Sequence, residues 1–472
     1  MNFSNLKISE KLVPSNYLKL AVESQKSKEV KLKELLEKRS LPEDGWSDDL
    51  IEYTVQQLAC LDSNNFPHKA GLGEREARIV SNLVARRHYN FGHGIGRSGD
   101  LLEAQPKAVG SSILSQLTNA MLLDLMRAIG IKSCDSCFLV PLATGMTLTL
   151  CFLSLRKQRP QAKYILWSRI DQKSCFKSMT TAGFIPIIIN PIRKAEKEGL
   201  FTDLEEFSKK LETLRAEEIL CIMSTTSCFA PRNMDEIYEL AQMAEKYNVP
   251  HVINNAYGLQ SQYICAQIQR AFGGGRVDLF VQSTDKNLMV PVGGALVAGC
   301  NKEIVHNVAK TYAGRASSSQ SLDVFMTLLS LGKNGYLALS QERRKAYDEL
   351  KSGLSIFANS NNFTFKHSKS NPISMAVFFD PQSIDQPTKL GSMLYTRGIS
   401  GTRVVARDST KTIDGYEFKN WGTHEDRNGP AYLTAAATLG LTLSEIEVFL
   451  KKLNECWKDL QSQKVKNNKI QE

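Results

Sequence analysis

Residues 137–155 read CFLVPLATGMTLTLCFLSL and carry no charge. A run of this length is long enough to invite a membrane-spanning reading, since crossing a bilayer takes roughly 20 apolar residues. Pro141, Thr144, Gly145 and Thr147 argue against it, because the backbone groups they interrupt would find no partner in hydrocarbon. The better reading is a buried strand, a tight turn and a helix that opens on small and hydroxylated residues. That is one strand-to-helix step of an α/β domain.

The same step recurs along the chain. Further strand candidates are KYILW (163–167), FIPIIIN (184–190), ILCIMS (219–224), HVIN (251–254), DLFVQS (278–283) and GGALVAG (293–299). Helical stretches separate most of them, and several are nearly continuously apolar, as strands buried on both faces must be. A mostly parallel central sheet follows, with ligands expected at the carboxyl ends of its strands. Upstream, Ile113, Leu117, Leu125 and Ile129 mark a helix stopped by Gly130. After about residue 320 the pattern changes to a long helix, weaker strands such as ISMAVFF (373–379), and a last helix ending in KVKNNKIQE, which predicts a smaller α+β domain.

At the other end, Leu32, Leu35 and Leu36 lie at helical spacing within 17–40, a segment closed by Leu41-Pro42-Glu43-Asp44-Gly45. A second helix follows, with Ser47 as its cap, Asp48 and Asp49 at its positive end, and Ile51, Val55 and Leu58 on one face. The expected division is a helical arm over 1–65, a large domain over 66–320, a small domain over 321–460 and a basic tail over 461–472. The N-terminus has no continuous hydrophobic block, so no secretory signal is expected.

Composition narrows the function classes. The chain has 472 residues, 42% hydrophobic and 23% charged, which is globular and not disordered. It is long enough to bury large cores without disulfides or metals, which excludes the small secreted class. Ten cysteines include the single CxxC pair Cys134/Cys137, too little for a zinc site, and reduced thiols in a cytoplasmic protein are expected. Seven histidines show no metal-ligand spacing, so no metal is expected. Fifty-nine basic against 49 acidic residues give a net charge of +10, a modest excess that suits nucleic acid, an anionic substrate or nothing in particular.

Four motifs carry chemistry. HGIGRSGD (93–100) places Gly94, Gly96 and Gly99 in a G-x-G-x-x-G pattern, but no apolar strand precedes it and Pro106 soon follows, so a dinucleotide site is not the reading. What remains is a phosphate loop with Arg97, Ser98, Gln105 and Lys107 as donors, or an ordinary glycine-rich turn. Ala143-Thr144-Gly145-Met146-Thr147 opens a helix directly after a strand and is either an anion site or a plain cap. Lys286 lies in a turn between two apolar strands, and Asn254 ends another. A lysine able to form a Schiff base, a polar group for a pyridine nitrogen and a helix N-terminus for a phosphate are what pyridoxal phosphate requires, although a loop lysine alone is most often just solvated. Arg75, Arg97 and Arg315 stand apart from the lysine runs and suit bidentate phosphate binding or surface ion pairs.

At these residues the chain resembles the O-phosphoseryl-tRNA(Sec) selenium transferase family. The motifs that carry the likeness are GEREAR (73–78), ARRHYNFGHGIGRSGD (85–100), PLATGMTLTLCFL (141–153), RIDQKSCFKSM (169–179), STTSCFAPR (224–232), NNAYG (254–258), STDKNLMVPVGGA (283–295) and GRASSSQSLD (314–323). The resemblance implies a fold-type-I pyridoxal-phosphate enzyme, a homotetramer, converting O-phosphoseryl-tRNA(Sec) to selenocysteinyl-tRNA(Sec) with selenophosphate. It implies that Lys286 carries the cofactor, with Arg75, Asn254, Thr144, Gly145, Gln172 and Lys173 around it. The phosphate loop falls on 96–106, and Arg97, Ser98, Gln105 and Arg315 match ligands of the substrate phosphate. Glu74 matches a filter against free amino acids; Lys38 and Arg397 match tRNA contacts. Two tRNA positions depart from the family pattern, at Gly273 and Ser462, with Arg270, Arg276 and Lys464 nearby as substitutes. Neither a membrane nor DNA is an expected partner. A related lyase or sulfur transferase acting on phosphoseryl-tRNA, and a catalytically silent tRNA-binding scaffold, stay open as alternatives.

Overall fold

The structure, a computed structural model, describes residues 3–194 and 197–471. The first two residues of the expected arm and the last of the expected tail lie outside these. The chain divides into two compact units, one of residues 1–125 with 313–336 and one of residues 126–312 with 337–472.

The first unit is helical. Helices Ser15–Lys38 and Asp48–Ala59 occupy the segments expected from the leucine spacing. Ile51, Val55 and Leu58 are buried, as their shared face requires, whereas Leu36 is exposed and only Leu35 of its helix is fully covered. Ser47 stands at the N-cap position, but its side chain makes no capping bond, so the acidic pair Asp48 and Asp49 is left to favour the helix start. The long helix Ser319–Ser360 breaks at Gly332, whose φ of 60° places it in left-handed backbone. The turn at 42–45 sits against that break. Lys333 N–H donates to Pro42 O and Asn334 N–H to Glu43 O, both at 2.9 Å, and Trp46 N–H reaches Leu329 O at 2.8 Å.

The second unit is built on a seven-stranded sheet. Its strands are β1 (Ser136–Val140), β2 (Tyr164–Ser168), β3 (Ile185–Ile189), β4 (Ile219–Thr225), β5 (His251–Asn254), β6 (Leu279–Ser283) and β7 (Ala295–Gly299). Every one lies where an apolar run predicts it. The order across the sheet is β1-β7-β6-β5-β4-β2-β3. All neighbouring pairs from β6 to β3 are parallel, and β7 alone runs against both β6 and β1. The carboxyl ends of β1, β2, β4, β5 and β6 therefore share one edge, where Asn254 closes β5, Gln172 and Ser227 lie on the segments after β2 and β4, and Thr144 and Lys286 lie on the helices that follow β1 and β6.

Beyond residue 337 the same unit holds a four-stranded antiparallel sheet of Thr364–Ser368, Asn371–Phe378, Tyr432–Ala436 and Arg403–Val405, packed with helices Pro387–Thr396 and Leu443–Gln471. Its core includes Leu354, Met375, Leu394, Leu433 and Trp457. The α+β expectation for this region holds. A hairpin of Lys411–Ile413 and Tyr416–Phe418 was not predicted; its Phe418 ring packs edge-on against Phe176 at 4.9 Å.

Beneath the site edge lies a buried ionic network. Asp235 accepts from Ser168 Oγ and Arg232 Nη2 at 2.6 Å, Thr202 Oγ1 at 2.9 Å and Thr225 N–H at 2.7 Å. Arg232 and Asp235 are each almost wholly buried. Removing one member of such a pair strands the other charge out of water, so Asp235→Ala should cost about 3–5 kcal/mol, while the apolar pair Arg232→Met/Asp235→Leu should recover most of it. Thermal melting of the purified variants checks this; equal losses in both would contradict it.

Candidate active site

Lys286 rides on the short helix Thr284–Leu288, which starts where the fully buried β6 ends. Its Nζ donates to Ser283 Oγ at 3.2 Å and pairs with Asp285 Oδ2 at 2.9 Å, and Ser283 Oγ–H in turn bonds Asp285 Oδ1. The amine also lies 5.7 Å from the centre of the Tyr257 ring. Burial pushes the Tyr257 phenol up from its usual pKa.

These groups line a cavity of about 140 Å³ shared by Thr144, Gly145, Gln172, Asn254 and Ser227. Helix Thr144–Gln158 opens on it with Ala143 in the cap position and no side-chain cap, so its first amides are free of side-chain partners. Among the described residues Thr144 Oγ1 and Ser227 Oγ are buried without hydrogen-bond partners. A buried hydroxyl left unpaired costs free energy, and a ligand oxygen would supply the missing bond. Asn254 is buried; its Oδ1 accepts from Ala256 N–H at 3.2 Å and its Nδ2 reaches Cys175 Sγ at 3.5 Å. Burial pushes the Cys175 thiol up to about 11, so it is a neutral neighbour. Five of the seven residues expected around the cofactor, Lys286, Asn254, Thr144, Gly145 and Gln172, are thus brought together.

A second cavity, of about 480 Å³, lies within the first unit and is lined by Arg75, Ser98, Gln105, Lys107 and Arg315. The loop over 93–100 and the segment carrying Arg315 are joined by a reciprocal bridge, Ile95 N–H to Ala316 O at 2.9 Å and Ala316 N–H to Ile95 O at 3.0 Å. Gly94 makes that bridge possible: its φ is 72°, and a Cβ there would fall 2.2 Å from Ala316 O. Among the described residues Arg75 and Arg315 make no ion pair. Arg97 instead pairs with Glu103 at 3.3 Å on the surface, a contact weak enough to be exchanged for a ligand.

The remaining expected residues are more dispersed. Arg75, expected beside the cofactor, lines the first unit's cavity. Lys173 lines a cleft adjoining the lysine cavity and Glu74 is exposed. Lys38 is exposed and 3.8 Å from Glu34, while Arg397 pairs with Asp459 at 2.6 Å. Of the suggested substitutes, Arg276 is tied to Asp278 at 2.9 Å, Arg270 stacks on Tyr238 and Lys464 pairs with Asp385 at 3.2 Å. Sequence reading missed Ser283, Asp285, Tyr257 and Ser227, although all stand inside the quoted motifs. It also missed Glu76, whose buried carboxylate joins Lys107 and, at 3.0 Å, Lys69.

Comparison with known proteins bears on these arrangements. The family model described as O-phosphoseryl-tRNA(Sec) selenium transferase, SepSecS, matches residues 61–458. The O-phosphoseryl-tRNA(Sec) selenium transferase of Dictyostelium discoideum is 43% identical over 96% of this chain and 99% of its own length. That of Caenorhabditis elegans is 42% identical over 92% and 90%. The crystal structure of an archaeal O-phosphoseryl-tRNA(Sec) selenium transferase superposes with a TM-score of 0.86 at 27% identity, covering 94% of this chain and 98% of that one. A sphingosine-1-phosphate lyase of Burkholderia pseudomallei, 14% identical, shares the fold at a TM-score of 0.57 over 97% and 94% of the two chains.

Glu76 offers a pH test. Its hydrogen bonds to Lys107 and Lys69 lower its carboxyl pKa to about 2, from 4.5. A depressed carboxylate contributes stability that is fully present above its unfolded pKa and lost as pH falls through the folded one. Hydrogen exchange over 69–78 and 105–112, corrected for intrinsic rates, should lose protection between about pH 4.5 and 2 in the wild type. Glu76→Gln should be less protected at neutral pH and flat across that window; the same slope in both proteins would rule the contact out as its source.

Proposed function

This chain belongs to the O-phosphoseryl-tRNA(Sec) selenium transferase family, and from that premise we propose how its own residues divide the reaction. It is a pyridoxal-phosphate-dependent enzyme that converts O-phosphoseryl-tRNA(Sec) to selenocysteinyl-tRNA(Sec). Its sheet is the mostly parallel fold-type-I architecture expected from the sequence. The observation that carries the assignment of roles is the lysine at the end of β6, held by Ser283 and Asp285 in a cavity that also receives an uncapped helix start.

The residues around Lys286 fit the cofactor. The free amides at Thr144 and Gly145 and the unpartnered Thr144 hydroxyl suit its phosphate, and the Asn254 amide suits its ring nitrogen. When bound, pyridoxal phosphate supplies an electron-withdrawing ring that acidifies the seryl α-proton. Lys286 Nζ takes that proton as general base, with Ser283 and Asp285 orienting the amine. Ser98, Gln105 and Arg315, with Arg97 released from Glu103, bind the substrate phosphate and hold its charge as it leaves; Arg75 adds a further guanidinium to that cavity. Glu74 opposes the α-carboxylate of a free amino acid but not a tRNA ester.

The same reading takes selenophosphate as the selenium donor and a cytoplasmic homotetramer as the working form. It assigns 1–65 to assembly and tRNA contact, 66–320 to catalysis, 321–460 to a small C-terminal domain and 461–472 to a basic tail. The exposed Tyr17, Leu20 and Leu36 of the arm support the assembly role, because apolar side chains on one helix favour a covering partner. Lys38 and Arg397 would face the tRNA.

Purified enzyme should convert O-phosphoseryl-tRNA(Sec) with selenophosphate, and Lys286→Ala should reduce turnover by at least about 10³-fold, near the range of a lost general base, since it also removes the cofactor anchor. The variant should lose a borohydride-sensitive visible absorbance band as well. Retained turnover would make the lysine assignment wrong. Glu74→Gln should raise turnover of free O-phosphoserine relative to the tRNA-linked substrate, and an unchanged ratio would count against the filter.

A further inference from the structure

Beside the lysine cavity the second unit carries a larger cleft, of about 610 Å³, whose lining includes Gln172, Lys173, Ser174, Arg403 and Lys411. Gln172 and Ser174 line both spaces, so the cleft opens on the residues that wall the reacting lysine. Lys173 stands at the start of helix Lys173–Thr181 and Lys411 at the start of the hairpin, and both side chains line the cleft. Lys173 holds the Lys411 pKa below its usual value. Among the described residues neither lysine has a carboxylate partner. Arg403, stacked at 4.2 Å on the Phe229 ring, has none either.

The acid lining this cleft, Asp171, does not offset them. Its Oδ1 accepts from Arg169 Nε at 2.8 Å, and its Oδ2 accepts from Gly422 N–H at 2.7 Å and His424 N–H at 2.8 Å. Its charge is thus answered by the buried Arg169. Three cations of the cleft lining remain unanswered among the described residues, and one of them, Lys173, opens a helix that no side chain caps. Like charges lining one cleft repel unless an anion sits between them, and phosphate oxyanions are strong ligands of ammonium and guanidinium groups together.

We propose that this cleft is a second phosphate-binding site, which holds a phosphate group next to the lysine cavity through Lys173, Arg403 and Lys411. The inference rests on the reaction assigned above, which brings two phosphates to the enzyme besides that of its cofactor. The seryl phosphate has the arginine cavity of the first unit. The phosphate-bearing selenium donor has to deliver selenium to a carbon held over Lys286, and the cleft opens there. The last backbone phosphate of the tRNA end is the other source of the same chemistry.

Lys411 lies on a surface hairpin, so its substitution leaves the fold intact, which a melting curve verifies. In the holoenzyme, Lys411→Ala should raise the KM for selenophosphate about tenfold, the loss of one charge-assisted hydrogen bond. Lys411→Glu should raise it further and Lys411→Arg should restore it. A rise confined to selenophosphate places the donor in the cleft; a rise confined to phosphoseryl-tRNA places the RNA phosphate there. No change in either KM with Lys411→Glu would overturn the site. An inactive wild type would count against the assigned reaction and not against the cleft. The cleft is then tested by inorganic phosphate: in an Arg315→Ala background, ³¹P line broadening should persist with Lys411 and disappear with Lys411→Glu, and broadening that survives the second change would refute the site.

Discussion

Asp235 has both carboxylate oxygens filled, and much of the second unit's geometry depends on that. Its bonds reach the end of β2 through Ser168, the end of β4 through Thr225, and the neighbouring segments through Thr202 and Arg232. Arg232 Nε continues the network to Arg169 O at 2.9 Å, and Arg169 fixes Asp171. The next two residues of the chain, Gln172 and Lys173, line the cleft beside the lysine cavity. The ends of parallel strands lack mutual hydrogen-bond partners, so something has to saturate them. Here a buried ion pair does so, and a buried pair of this kind fixes geometry more than it adds stability.

Six of the seven sheet strands were legible because a strand buried on both faces needs an apolar run with no polar alternation, and the edge strand β3 carries an equally apolar run although Ile185 is exposed. The site was legible for a related reason. Asn254 ends a strand, and Thr144 and Lys286 stand within four residues of one, where side chains are free to project past the sheet edge. What escaped was set by distant contacts. The break at Gly332 exists because the 42–45 turn bonds across it, and no local pattern announces that. Strands Arg403–Val405 and Lys411–Ile413 are three residues each, too short for a period-two signal. Within GEREAR, alternation could not tell exposed Glu74 from buried Glu76, because burial in a loop has no periodicity.

The same limit applies to electrostatics. A net charge of +10 described the chain but not its partners. The informative quantity is which cations lack a carboxylate. Arg169, Arg193, Arg232 and Arg276 are each matched by an acid and act as fasteners. Among the described residues Arg75, Arg315, Lys173, Arg403 and Lys411 are not, and each lines a cleft. An unpaired cation on a convex surface is satisfied by water, whereas several in one concavity raise the local potential and draw anions. On that criterion the first unit supplies one candidate anion cavity and the second supplies the Lys173–Lys411 cleft; the helix start beside Lys286 qualifies on different grounds, its uncapped amides, since Lys286 itself is paired with Asp285. An enzyme that binds a phosphorylated cofactor and removes a phosphate from its substrate needs at least two such places, and the proposed donor site would be a third.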